Sequence, residues 1–185
     1  MLGPKFEEAL SYAARMHAAQ RRKLGGVPYV AHLLAVCSLV LEYGGDEEAA
    51  VAALLHDAVE DQGGARTREE IHNRFGQRVA QIVDQLSDTD QAPKPPWRPR
   101  KEAYLRHLAQ ADATALLICA ADKLHNVRSL LDALRQNPEP VWGSFSGGRD
   151  GTLWFYASVI ESLDGRVPEP LLAELKRVVD ELHTL

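Results

Sequence analysis

EEAAVAALLHDAVED, residues 47–61, is apolar on every face of a helix from Ala49 to Leu55 and then gathers His56, Asp57, Glu60 and Asp61 at its end. A helix with no polar face belongs inside a domain. Burying an imidazole and three carboxylates at its tip is costly unless something compensates them. Acidic side chains in the last turn also oppose the helix dipole, whose C-terminal end is already negative. A bound divalent cation resolves both difficulties.

Asp122 poses the same question. It follows LLICAA within a long apolar helix, where an unpaired aspartate is rarely tolerated. His32, just after Pro28-Tyr29, opens another helix and can point toward the same interior. Together His32, His56, Asp57 and Asp122 offer two imidazoles and two carboxylates. Such a mixed nitrogen and oxygen set suits a six-coordinate Mn²⁺ or Fe²⁺ that keeps water positions, while zinc or nickel also fit. No further histidine pair accompanies the four, so one cation per chain is expected.

Helical periodicity extends outward from this stretch. Phe6, Leu10, Ala13, Ala14 and His17 form a stripe on the first helix. The second is expected from Val30 to Tyr43, stopping at Gly44–Gly45, and the third from Glu47 to about Asp61, capped by Asp46. Thr67-Arg-Glu-Glu70 reads as a capping box opening a fourth helix that ends near Gly76. Further helices are expected over 77–87, about 100–110, 113–136, about 151–164 and 168–184. Residues 88–99, with four prolines, and residues 137–150, NPEPVWGSFSGGRD, read as loops, and loops this long are often functional. The expected fold is all-α, one domain across residues 1–185.

Composition narrows the function. Hydrophobic residues make up 45% of the 185 and charged residues 25%, an ordinary globular balance. No apolar run is long enough to span a bilayer, and the N-terminus lacks a signal peptide's apolar stretch, so the expected location is the cytoplasm, without membrane partners. Cys37 and Cys119 sit in apolar runs as small core residues, with no metal-binding cysteine spacing. A net charge of −5 argues against nucleic-acid binding. The basic residues are nevertheless clustered, at Arg21, Arg22 and Lys23 and again at Arg98, Arg100 and Lys101, which suits a small anionic ligand.

The motifs carry a family resemblance. The pattern His32, His56–Asp57, Asp122 is similar to the H…HD…D ligands of the HD superfamily of phosphohydrolases. QRRKLGGVPYVAH (20–32), ALLHDAVED (53–61) and AADKLHNVRSL (120–130) resemble, in order, three motifs of the hydrolase domain of RelA/SpoT-type proteins and of small alarmone hydrolases. The resemblance runs from about residue 5 to 165. It implies a helical bundle of the HD type that uses one Mn²⁺ to release pyrophosphate from the 3′ position of ppGpp or pppGpp, leaving GDP or GTP. It implies a hydrolase unit alone, without a synthetase.

The resemblance also distributes roles. Glu60 becomes the general base or water-orienting group, supported by Asp61; at four residues after His56 and three after Asp57, Glu60 emerges on the same side of a helix. Asn126, four residues after Asp122, becomes a substrate contact near the ribose. Arg22 and Lys23 become phosphate contacts, with Arg98, Lys101 and Arg149 as further candidates from the two long loops. His125 is expected to pack behind the ligands, His17 to be a satisfied core histidine, and His72, His107 and His183 to lie on polar faces. Trp154 and Tyr156 are expected to pack in the core or line the base pocket. Two other readings stay open: an HD-type phosphohydrolase of another nucleotide (a nucleoside mono- or triphosphate, or NADPH), and a metal-retaining nucleotide sensor without turnover.

Overall fold

The computed structural model describes residues 1–89 and 93–184. Among these residues are eleven helices and no strand. They are α1 (Pro4–Met16), α2 (Val30–Glu42), α3 (Glu47–Leu55), α4 (Ala58–Gln62), α5 (Gly64–Phe75), α6 (Gln77–Leu86), α7 (Trp97–Gln110), α8 (Ala113–Gln136), α9 (Pro138–Gly143), α10 (Gly148–Leu163) and α11 (Glu169–Leu182). The all-α expectation is met.

The apolar run 49–55 lies at the centre, as its lack of a polar face requires. Every residue from Ala49 to Leu55 is buried, and α3 packs against α1, α2, α6 and α8. Each fully buried leucine there, Leu54 and Leu55, contributes roughly 1.5–3 kcal/mol. Asp46 caps α3 by accepting from the Ala49 amide at 2.9 Å, and Asp112 caps α8 through Thr114 and Ala115. The amphipathic α11 covers the outer side of α8, and α10 joins α11 to α7.

Four local expectations are corrected. The helix expected over 47–61 breaks after Leu55 and resumes at Ala58, with Asp57 at φ −96°, ψ −4°. Neighbouring positions on an unbroken helix point about 100° apart, so the break is what lets His56 and Asp57 face one point. Thr67 is not a cap, because α5 already starts at Gly64, right after Gly63 at φ 136°. Thr67 is instead buried in the first turn, donating to the Gln62 carbonyl at 2.9 Å, and Glu70 accepts from Tyr12.

In the segment expected to be a loop over 88–99, α7 begins at Trp97; residues 90–92 of it lie outside the described residues. Pro99 fits there because the first helical amides have no partner within the helix. The expected loop 137–150 contains α9, and α10 starts at Gly148 rather than near Gly151.

Candidate metal centre and anion cavity

The second helix brings His32 inward through the turn that precedes it. Arg21 and Pro28 form an isolated antiparallel bridge, the Arg22 amide donates to the Val27 carbonyl at 2.8 Å, and Tyr29 donates to Gln20 at 3.0 Å. Gly25 and Gly26 sit at φ 74° and 62° inside it, a pair of left-handed positions that side chains disfavour. The turn sends Arg22 and Lys23 outward and starts α2 so that His32, its third residue, is buried.

His56 and Asp57 come from the α3–α4 break and Asp122 from the middle of α8. His32 Nε2 lies 3.2 Å from Asp122 Oδ1 and 3.5 Å from Asp57 Oδ2; His56 Nε2 lies 3.1 Å from Asp57 Oδ2 and 3.8 Å from Asp122 Oδ1. Ligand atoms of His32, His56 and Asp57 fall within 4.8 Å of one another. The structure thus brings together all four residues of the expected set.

The donor chemistry fits a divalent cation. Both Nε2 atoms are buried and, among the described residues, have no hydrogen-bond partner. His56 Nδ1 is 2.8 Å from the Ala53 carbonyl, so it donates there and Nε2 is the nitrogen turned toward Asp57 and Asp122, where a cation can replace its proton. His32 Nδ1 meets His125 Nδ1 at 2.8 Å. Burial and the neighbouring His32 push His125 down to about 4, so it is neutral and can accept, leaving His32 Nε2 free as well. Burial opposes a charge on His56, yet Asp57 and Asp122 outweigh it and hold the imidazole well above its ordinary range. Burial likewise opposes ionisation of Asp57 and Asp122; the imidazoles, with Lys123 for Asp122, keep both carboxyls well below the usual range. The site attracts positive charge at the point both imidazoles face.

A surrounding layer fixes these groups. Tyr29 donates to Asp57 Oδ2 at 2.6 Å, Lys123 pairs with Asp122 Oδ2 at 2.5 Å, and Asn126 donates to Asp122 Oδ1. Glu60 Oε1 pairs with Lys94 at 2.8 Å, and its other oxygen accepts from the Asp88 amide at 3.3 Å. Asp61 accepts from Gln20 at 2.8 Å, and its burial near Asp57 raises its carboxyl above the usual range. His17 is buried, bonded to Gln20 at 2.6 Å and stacked on Tyr29, but its Nε2 lacks a partner among the described residues, so it is only half satisfied.

A small cavity of about 150 Å³ lies over this cluster, bounded by Tyr29, His56, Asp57, Glu60, Lys101 and Lys123 among others. It shares Tyr29, Lys101, Lys123 and Asn126 with a larger cavity of about 420 Å³. Among the described residues, the larger one is lined by Arg22, Lys23, Arg100, Lys101 and Lys123 and by no carboxylate, with Tyr29, Trp97, Phe145, Phe155 and Tyr156 as aromatic walls. Arg22 donates to Asn126 Oδ1 at 2.6 Å, and Lys23 bonds the Ser144 carbonyl and faces the Phe145 ring. Asp88, 6% exposed, accepts from both Arg100 and Lys101.

Arg22, Lys23, Lys101 and Asn126 therefore stand at the cavity, whereas two expected contacts do not. Arg98 lies over Trp154 at 3.4 Å from the ring centre and pairs with Glu102, and Arg149 donates to the His183 carbonyl. The reason is helical: with α7 starting at Trp97, residues 97, 100, 101 and 104 share a face that Arg98 is not on. Arg100, Lys123 and Tyr29 were missed by sequence reasoning. Lys123, beside Asp122 in an apolar helix, carried a usable signal, since two adjacent charges there need each other.

The class is defined by an all-α bundle that gathers two imidazoles and two carboxylates at its centre, beside a cavity lined by cationic side chains. The chain belongs to the HD domain family, whose description matches residues 9–153. It is 41% identical over 126 residues, 66% of this chain and 68% of the relative, to the guanosine-3′,5′-bis(diphosphate) 3′-pyrophosphohydrolase MESH1 of Xenopus tropicalis. It is 38% identical over 120 residues to the guanosine-3′,5′-bis(diphosphate) 3′-pyrophosphohydrolase of Haemophilus influenzae, spanning 62% of this chain and 17% of that longer protein. Among solved structures, a metazoan ortholog of SpoT that hydrolyses ppGpp superposes with a TM-score of 0.84 at 30% identity, covering 100% of this chain and 99% of that one.

Proposed function

We propose that the chain is a metal-dependent phosphohydrolase that removes pyrophosphate from the 3′ position of ppGpp or pppGpp, acting as one domain over residues 1–185. The observation that carries this is the junction of the metal centre with a cavity lined, among the described residues, by five cations, five aromatic rings and no carboxylate. A guanosine carrying phosphate groups on both sides of its ribose needs that combination.

His32, His56, Asp57 and Asp122 hold one divalent cation, Mn²⁺ in this reading, which suits the mixed donor set. When bound, it supplies Lewis-acid charge stabilisation and makes a water acidic enough to react near neutral pH. Glu60, with Asp61 beside it, orients the attacking water and takes its proton at a carboxylate oxygen. Arg22, Lys23, Arg100, Lys101 and Lys123 neutralise phosphate oxygens, and Asn126 orients the ribose while bracing Asp122. Asp61, held by Gln20, steadies the helix end that carries Glu60. The ligand is a small nucleotide rather than a nucleic acid. No helix among the described residues is long and apolar enough to cross a membrane, which supports a cytoplasmic location.

The test is chromatography of products after incubation with Mn²⁺ and a panel of ppGpp, pppGpp, nucleoside mono- and triphosphates and NADPH. The expected products are GDP or GTP and pyrophosphate. If ppGpp survives while another nucleotide loses its phosphate, the alarmone assignment is wrong and a general nucleotide phosphohydrolase takes its place.

A further inference from the structure

Trp97 is the first residue of α7 and follows Pro95-Pro96, so the chain enters the helix in extended form, with Pro96 at φ −51°, ψ 143°. The side chain lines the large cavity one turn before Arg100 and Lys101. Its ring rests on the start of α10. A methyl group at Gly147 would lie 2.7 Å from two atoms of the indole, and one at Gly151 would lie 3.1 Å from it.

Neither glycine is demanded by its own backbone. Gly147 sits at φ −87°, ψ −7°, which any residue adopts, and Gly151 lies within a helix, where glycine is less favourable than alanine. A local preference overridden at two positions, both facing one ring, marks a contact the fold is built around. Lys23 bonds the Ser144 carbonyl and Phe145 lines the same cavity, three and two residues before Gly147. The Trp97 seat therefore joins the helix that carries two cations to the segment that holds a third.

We infer that Trp97 is a positioning residue: its indole, seated on Gly147 and Gly151, sets the distance between the α7 cations and the Lys23–Phe145 wall, and so selects a substrate with phosphate groups at two separated points. The inference deepens the alarmone reading and rests on it. Trp97 touches neither the metal ligands nor Glu60 in any hydrogen bond or ring contact of the described residues, so it acts on substrate fit rather than on the chemical step.

The experiment is steady-state kinetics on ppGpp with the Mn²⁺-loaded full chain, comparing wild type, Trp97→Ala, Trp97→Phe, Gly147→Ala and the Trp97→Ala/Gly147→Ala pair. For Trp97→Ala, KM should rise roughly tenfold with kcat within about threefold, an ordinary size for residues that share a contact. Trp97→Phe should recover most of that loss. Gly147→Ala pushes the indole and should raise KM alone, yet add nothing once Trp97 is alanine. The glycine variants keep the test alive if Trp97→Ala fails to fold. An unchanged KM in Gly147→Ala, or an additive double variant, overturns the inference. Wild type that leaves ppGpp intact overturns the functional reading first.

Discussion

His32 and Asp122 stand on helices and His56 and Asp57 at the break between α3 and α4, all at the heart of the bundle, while Arg22, Lys23, Arg100 and Lys101 reach the cavity from a glycine turn and the first turns of α7. The first group is buried or nearly so, and each member is fixed by a neighbour: His125, Ala53, Tyr29 and Lys123. In the second group Lys23 is exposed and Arg22 partly so, while Arg100 and Lys101 are largely covered and lean on Asp88, and Arg22 leans on Asn126. The buried side holds its charges still, as a metal and a reacting water require. The cationic side presents charge that a ligand completes. Perturbing the first should abolish function outright; perturbing the second should tune affinity.

The largest effect is expected from Asp122→Ala. It removes a proposed ligand and strips Lys123, 14% exposed, of its partner at 2.5 Å. Breaking a buried pair costs about 3–5 kcal/mol, a large part of a total stability near 5–15 kcal/mol. Metal content, activity and thermal stability should all fall together. Elemental analysis showing a full metal complement in this variant would remove Asp122 from the ligand set.

Glu60→Gln should separate the two properties. The amide keeps the shape and leaves the four ligands untouched, so metal content should stay at wild-type level while kcat drops by roughly 10²–10⁴-fold, the usual cost of losing a general base. Turnover that is unchanged would make Glu60 no more than the anchor of Lys94.

This contrast also explains what the sequence could and could not disclose. The α3 stretch and the HD…ED end are local patterns: apolar periodicity places the helix, and misplaced charges within it expose the site. The same logic found Asp122. It did not find the break at His56–Asp57, because backbone that deviates to converge two adjacent side chains leaves no mark on periodicity. The cation wall was only half legible. Four prolines made 88–99 look like a loop, which hid the start of α7 at Trp97 and led to Arg98 where the helix face presents Arg100. Arg149 failed for a similar reason, since α10 begins one turn earlier than expected and the side chain turns to His183.

On the cationic side, Arg22→Ala should raise KM by roughly ten- to a hundredfold, the range for a lost hydrogen bond to a charged group. Metal content should not change, because Arg22 touches none of the four ligands directly and meets the centre through Asn126 at 2.6 Å and over the Tyr29 ring. A loss of bound metal in this variant would show that the Arg22–Asn126 contact supports Asp122 rather than substrate.

The smallest expected effect is a pH dependence from Lys101. Burial, reinforced by Lys123 and Arg100, pushes its ammonium down to about 7. Asp88 lies 2.9 Å away but shares its single charge with Arg100, so it does not restore Lys101. The sign follows from the depressed value. Below about pH 7 the free enzyme carries the charge, and as pH rises past it the charge is lost before the substrate arrives. An anionic phosphate favours the protonated form, so binding above that pH must take up a proton and becomes weaker. KM should therefore rise with pH by roughly three- to fivefold over the first pH unit or so above 7, below the tenfold-per-unit limit for one linked proton. Lys101→Arg keeps its charge throughout that range and should flatten the limb while leaving kcat's own pH profile in place. The measurement is KM for ppGpp against pH in the two proteins at fixed Mn²⁺. An identical rise in Lys101→Arg would assign the proton to another group and leave Lys101 as a fixed charge in the wall.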